Sequence, residues 1–356
     1  MLLEDPLNPK IPDNFYSNHR LAVVLSTLFG NSAYLGVSFF FVLSGFVLTW
    51  STREDVGVLA FWRRRLCKLF PTNIVTWVVA MVLFAAATTP RDAWLPSLLL
   101  VQSWFPVPGI FTAVNPQAWS LCSELLFYML FPLLILGIRR IPERRLWPAA
   151  GAAVAGVLAI CLITIFLLPN SPRIPGLALS FPRQWFSYTF PPARMFEFLL
   201  GMVLARIVRS GQWPHLGKVP VIALMILGYV ATIVAPAPFD FSFTAIIPMG
   251  VVICTAATTD LRGVRTFLST RIMQWLGNIS FGFYMSQAIL IFYGRPKLAG
   301  TGTYGVLAAT GLELTLFLLT LLAGWLLYSC VEQPVMRRWS RSKKRITPPV
   351  PTPETS

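Results

Sequence analysis

Charge is what this chain of 356 residues has least of. Only 12% of its residues are charged, and a soluble domain carries about twice that share. With 55% hydrophobic residues and a mean hydropathy of +0.66, the composition excludes a soluble globular enzyme, and no stretch reads as a separate soluble domain. Acid is scarcer still: 14 Asp and Glu stand against 29 Lys and Arg, for a net charge of +15. That surplus does not imply nucleic acid as a partner, because the basic residues stand just outside the apolar runs, where the positive-inside rule puts them. Histidine is limited to His19 and His215, and His215 lies in a Trp-Pro-His-Leu-Gly loop that reads as solvated. The five cysteines (Cys67, Cys122, Cys161, Cys254, Cys330) are odd in number and lack metal-like spacing. They read as packing residues, with no disulfide framework and no metal site expected. No charged-then-apolar leader opens the chain, and no internal repeat supports an inverted-repeat transporter.

What the sequence does have is a series of long apolar runs. A membrane span must satisfy its own backbone hydrogen bonds, so the expected fold is all-α, a polytopic helical protein of the cell membrane with the lipid bilayer as its first partner. The expected spans are 33–50, a second ending near Thr88, 119–138, 146–168, 194–208, 219–235, 241–258, 272–293 and 304–331. Leu21 to Phe29 is apolar but too short to cross. Ala93 to Phe105 is also short and contains Pro96; if it dips in and returns, Arg139, Arg140, Arg144 and Arg145 fall on the cytoplasmic side. The reading is therefore about nine spans plus one re-entrant segment lying next to Glu124. A polar segment, 1–20, precedes the membrane region of 21–335, and a basic, Pro-rich tail, 336–356, is expected to be disordered. Charge counting places the N-terminus outside and the C-terminus inside. An outside start without a leader is awkward, and a further helix ahead of Met1 is the expectation that resolves it.

One run carries an acid. In Trp119-Ser120-Leu121-Cys122-Ser123-Glu124-Leu125-Leu126-Phe127-Tyr128, the residues Ser120, Glu124 and Tyr128 are four apart and share a helix face. An ionisable group at the bilayer centre costs about 2.5–3.5 kcal/mol on insertion scales, so it turns towards protein or water. Glu124 either lines a working cavity or is pinned by a structural cation.

Six blocks in order resemble the acyltransferase 3 family of integral-membrane O-acyltransferases. They are Gly36 to Phe46 with Ser44-Gly45; Arg64-Arg65-Leu66-Cys67-Lys68-Leu69-Phe70-Pro71; Trp119-Ser120-Leu121 with Glu124, Phe127, Tyr128 and Pro132; Arg194-Met195-Phe196-Glu197-Phe198-Leu199-Leu200-Gly201; Leu276-Gly277-Asn278-Ile279-Ser280-Phe281 with Tyr284; and Val331-Glu332-Gln333-Pro334. The resemblance implies acyl transfer from a thioester, typically acyl-CoA, to a hydroxyl of a sugar, glycan or secondary metabolite. It also implies an earlier helix bearing an Arg and a catalytic His, which these residues do not contain; His19 has no Arg at the family spacing and is not equated with that His. Lys68 stands where the family carries a second Arg, keeping the charge but losing bidentate geometry. Gln287 stands where many members carry a His.

Acyl transfer to an alcohol needs a base, donors for the oxyanion and a positioned thioester. Glu124, Ser120 and Tyr128 are the candidate catalytic residues, with Glu124 as base, as orienter or as a ligand of the acceptor hydroxyl. CoA is strongly anionic, so Arg64, Arg65 and Lys68, at a helix start beside Arg63, are the candidate donor-binding cations; the alternative is that they only set topology. Trp119, Arg194, Glu197 and Tyr284 are the candidate acceptor-binding residues. Each has a plainer reading: Trp119 as an interfacial anchor, Arg194 and Glu197 as an intrahelical pair, and Tyr284 with Ser280 and Gln287 as an interhelical polar stripe. A non-catalytic or transport protein on the same scaffold is the alternative function.

Overall fold

A computed structural model describes residues 15–52, 57–173, 178–300 and 302–339. Most of the expected tail, with Arg341, Lys343, Lys344 and Arg345, lies outside the described residues, as does most of the polar N-terminal segment. The described chain is helical, and its one β-type contact is an isolated bridge between Tyr16 and Tyr304. The principal helices are α1 (His19–Phe29), α2 (Ser32–Ser51), α3 (Val58–Ala80), α4 (Trp119–Arg140), α5 (Leu146–Phe166), α6 (Met195–Arg209), α7 (Lys218–Val234), α8 (Ile246–Leu261), α9 (Arg271–Ile289), α10 (Val306–Leu326) and α11 (Gln333–Trp339).

Seven helical stretches are long and apolar enough to cross a membrane. The other two expected spans are helices but shorter ones, α6 with 15 residues and α7 with 17. At a rise of about 1.5 Å per residue, these reach roughly 22 and 26 Å, short of a hydrocarbon core of about 30 Å. The short run 21–29 is helical and leads into α2 through Gly30 and Asn31, so one nearly continuous stretch runs from His19 to Ser51.

The segment expected to be re-entrant forms short turns and a five-residue helix, Trp94–Leu98. Irregular backbone at membrane depth must be buried in protein, and here it is. Asn73 Nδ2 donates to the Leu98 carbonyl at 3.1 Å, Trp185 Nε1 to the Ser103 carbonyl at 2.9 Å, and Asn115 Nδ2 to the Met285 carbonyl at 3.0 Å. Gln102 and Ser103 are fully buried beside the first turn of α4: Ser103 Oγ donates to the Trp119 carbonyl at 3.3 Å, and the Cys122 thiol to Gln102 Oε1 at 3.2 Å.

Two helix crossings bring backbones into contact. A Cβ at Gly45 of α2 would lie 2.0 Å from the Phe198 carbonyl oxygen of α6, and a Cβ at Gly201 of α6 would lie 1.9 Å from the Val42 carbonyl oxygen. Gly282 of α9 and Gly324 of α10 make a second crossing of the same kind. Small residues permit such approaches in a bilayer, where apolar burial does not drive helices together.

Basic residues from several helices gather at one end. Arg206 Nη1 of α6 donates to the carbonyls of Ile138, Arg139 and Ile141, at the end of α4 where a helix runs short of backbone donors. Arg209 Nη2 likewise reaches the Trp50 carbonyl at the end of α2, at 3.1 Å. The start of α3 lies at this end too, because Arg64 and Arg65 line a cavity together with Arg139.

Candidate functional site

The site begins on α4. Pro132 has no N–H, so the Tyr128 carbonyl loses its helical partner. Trp62 of α3 supplies the donor through Nε1 at 3.1 Å. This bond fixes α3 against α4 at the level of Tyr128. Glu124 is 3% exposed, and the Tyr128 hydroxyl donates a short hydrogen bond to its Oε1. The Ser44 hydroxyl of α2 lies beside the Tyr128 oxygen. One turn earlier on α4, Ser120 Oγ and the Tyr284 hydroxyl of α9 are 2.9 Å apart, and Ser120 also donates to the Gln117 carbonyl at 3.2 Å. The α4 stripe is therefore met by α2, α3 and α9.

A cavity of about 320 Å³ opens below it. Phe61, Phe131, Pro132 and Ile135 wall it, and Arg64, Arg65 and Arg139 supply positive charge. Phe131 and Phe61 stack with centroids 5.0 Å apart. Arg65 joins the two regions: it lines the cavity, and its guanidinium lies 5.5 Å from the Phe61 ring centroid and 5.6 Å from that of Tyr128. Lys68, one turn further along α3, is half-buried within electrostatic range of Glu124 and Glu332, and Arg65 is within range of Glu124 as well. The basic motif thus places Arg64 and Arg65 at the cavity, with Arg65 also on the Glu124 side.

Arg194 and Glu197 form a buried ion pair at 3.0 Å, with side chains 2% and 1% exposed. Arg194 Nη2 also donates to Ser38 Oγ of α2 at 2.8 Å, and its guanidinium lies over the rings of Phe41 and Tyr188. Phe41 and Phe127, edge to face at 5.1 Å, belong to an aromatic layer between this pair and the Glu124 stripe. Trp119 is buried in that layer, 4.5 Å from Tyr188 by centroids. An interfacial anchor would be exposed at its edge, so that reading of Trp119 is corrected. The stripe on α9 divides as well: Tyr284 meets Ser120, whereas Ser280 is exposed and bonds its own helix at the Gly277 carbonyl. His19 and His215 are both exposed.

Sequence reasoning gave Arg139 a topological role only. Its signal was available: Glu124, Tyr128, Phe131, Ile135 and Arg139 follow one face of α4 at steps of three and four. Glu332 stands out in the sequence only as part of the Val331–Pro334 block.

A model of the acyltransferase domain family matches residues 7–329. The chain belongs to the acyltransferase 3 family. It is 37% identical to the acyltransferase MdmB of Streptomyces mycarofaciens over 328 residues, covering 89% of this chain and 84% of that protein. It is 24% identical to the putative peptidoglycan O-acetyltransferase YrhL of Bacillus subtilis, over 75% of this chain and 45% of that one. It is 26% identical to the O-acetyltransferase OatA of Staphylococcus aureus, over 56% and 34%. The chain thus spans under half the length of the last two. No solved structure matches it. The chain is a multi-pass membrane O-acyltransferase, a transferase of acyl groups other than aminoacyl groups, acting on a hydroxyl-bearing acceptor.

Proposed function

We propose that the donor is acyl-CoA and that the acyl group passes to a hydroxyl of a sugar, glycan or secondary metabolite between α2, α4 and α9. The observation that carries this reading is the position of Arg65, which lines a cationic cavity and also stacks on the tyrosine that holds Glu124. An anionic nucleotide end suits Arg64, Arg65 and Arg139, because phosphate oxygens accept charge-assisted bonds from guanidinium groups. The rise of α4 sets Arg139 about 22 Å from Glu124 along the axis. An extended pantetheine arm has a comparable reach, so a thioester can approach Glu124 while its nucleotide stays in the cavity.

In the proposed reaction the acceptor oxygen attacks the thioester carbonyl carbon. The C–O bond forms, the C–S bond breaks, and the hydroxyl proton ends on the released CoA thiol. Glu124 holds and orients the hydroxyl, Tyr128 fixes the carboxylate, and Ser120 with Tyr284 offers hydroxyl donors one turn away. The names of two relatives make peptidoglycan glycan a first acceptor to try. The test incubates the purified full chain in lipid nanodiscs with labelled acetyl-CoA and an acceptor panel of muropeptides and simple glycosides. Labelled ester together with released CoA thiol is expected. Acetyl-CoA that binds without turnover, with every acceptor, would point to the non-catalytic alternative.

A further inference from the structure

Ser120 and Tyr284 stand on different helices, and one buried side chain ties the two together. Asn115 precedes the turn Pro116–Ala118 that opens α4. It is 1% exposed, and both ends of its amide are bonded. Oδ1 accepts from the Gln117 N–H at 3.3 Å, and Nδ2 donates to the Met285 carbonyl of α9 at 3.0 Å. Its backbone is engaged too: the N–H donates to the Ala113 carbonyl at 2.8 Å, and the carbonyl accepts from the Ala118 N–H at 3.0 Å. The Gln117 carbonyl in turn accepts from Ser120 Oγ at 3.2 Å, and Ser120 Oγ meets the Tyr284 hydroxyl at 2.9 Å. These bonds close a ring that leaves α9 at Met285 and returns to it at the neighbouring residue, Tyr284. Val114, just before Asn115, has φ +64°. A β-branched residue is rare in that left-handed region, and such backbone persists only where its surroundings over-determine it. Val114 is 3% exposed and shares one apolar cluster with Ile289, a turn beyond Met285 on α9. The chain is thus bent at Val114 where it delivers the Asn115 amide to α9.

We propose that Asn115 is a positioning residue: it fixes the register of α9 against the start of α4 and so sets the Tyr284 hydroxyl on Ser120. The proposal rests on the reading that these two hydroxyls serve the acyl transfer. An Asn carries an acceptor and a donor on one planar group, and both are used here. Without the amide the turn keeps its backbone bonds, but Met285 loses its tie and Tyr284 is free to drift from Ser120. A displacement of about 1 Å in a site can cost about 10²-fold in rate. The cavity of Arg64, Arg65 and Arg139 lies towards the other end of α4, so donor binding is unaffected.

The test uses the full chain in nanodiscs with acetyl-CoA and the same acceptor panel. Asn115→Ala is expected to lower kcat about 10- to 100-fold, with the KM for acetyl-CoA unchanged. Asn115→Ser keeps an acceptor at the start of the turn but has no amide to reach Met285, so it should fall nearly as far while the chain folds normally. In a Tyr284→Phe background the same substitutions should cost less than about threefold, because the hydroxyl they position is gone. Unchanged kcat in Asn115→Ser, or equal losses in both backgrounds, overturns the proposal. Replacing Tyr284 with 3-fluorotyrosine gives a readout free of turnover. Its fluorine resonance should move in Ser120→Ala and move likewise in Asn115→Ser. A resonance that stays at its parent position in Asn115→Ser overturns the tie. An inactive parent whose resonance moves in both variants would sink the acyl-transfer reading alone, whereas an active parent whose resonance moves only in Ser120→Ala would sink the role of Asn115 alone.

Discussion

The guanidinium of Arg65 lies over the ring of Tyr128, 5.6 Å from its centroid, while the same side chain lines the cavity shared with Arg64 and Arg139. One residue thus touches both the proposed donor pocket and the tyrosine that bonds Glu124. Charge-assisted hydrogen bonds contribute about 1.5–3 kcal/mol. Arg65→Ala should therefore raise the Kd for acetyl-CoA by about 10- to 100-fold. Arg65→Lys should fall between the two, since Lys keeps the charge but loses the planar fork that stacks. Calorimetric titration of acetyl-CoA into the nanodisc protein measures both, and unchanged affinity in Arg65→Ala would remove the cavity from the donor path.

Glu124 and Tyr128 make separable contributions. Glu124→Gln preserves shape but removes the charge that holds a hydroxyl, and a loss of about 10²–10³ in kcat is expected, the range seen when one preorganised polar group at a reacting centre is lost. Tyr128→Phe leaves a buried carboxylate short of a donor, which costs about 1–3 kcal/mol. That variant should lose stability and part of its kcat together. Labelled ester formation and melting temperature, measured on the same preparation, distinguish the two patterns.

Much of this arrangement was legible in the chain, for definite reasons. The step of four places Ser120, Glu124 and Tyr128 on one face whatever surrounds them, and apolar run length with flanking arginines gives most of the spans. Pairings between distant helices were not legible. Nothing in the local sequence says that Tyr284 meets Ser120, that Trp62 replaces the donor lost at Pro132, or that Arg65 reaches both the cavity and the ring of Tyr128. Trp119 misled because its place at the end of a span suggests the membrane interface. The neighbouring irregular segment and Tyr188 bury it.

The ion pair of Arg194 and Glu197 should respond as a unit. Both side chains are almost wholly buried, and removing one partner of a buried pair costs about 3–5 kcal/mol, because the other charge is left unpaired. Arg194→Met and Glu197→Leu should each lower the monodisperse yield and the melting temperature sharply. The double variant should be less damaged than either single one. If instead the single variants keep wild-type melting and lose only acceptor affinity, the pair belongs to substrate binding rather than to helix assembly.

The crossing of α2 and α6 supplies the last prediction. This contact sets Ser38 against Arg194 and presents Ser44 to Tyr128, so its spacing governs both polar regions. Gly45→Ala places a methyl 2.0 Å from the Phe198 carbonyl oxygen, and Gly201→Ala places one 1.9 Å from that of Val42. Backbone cannot yield as a side-chain tip can, so the helices must part. Overpacking of this kind costs about 1–3 kcal/mol, occasionally more. Gly36 lies on the same α2 helix, yet a Cβ there meets nothing within 4 Å. Gly36→Ala should therefore melt at or above the wild-type temperature, since Ala also favours the helix by up to about 1 kcal/mol. The three variants differ from wild type by one methyl each, so equal destabilisation by all three would mean that the α2–α6 contact is not where the backbones meet.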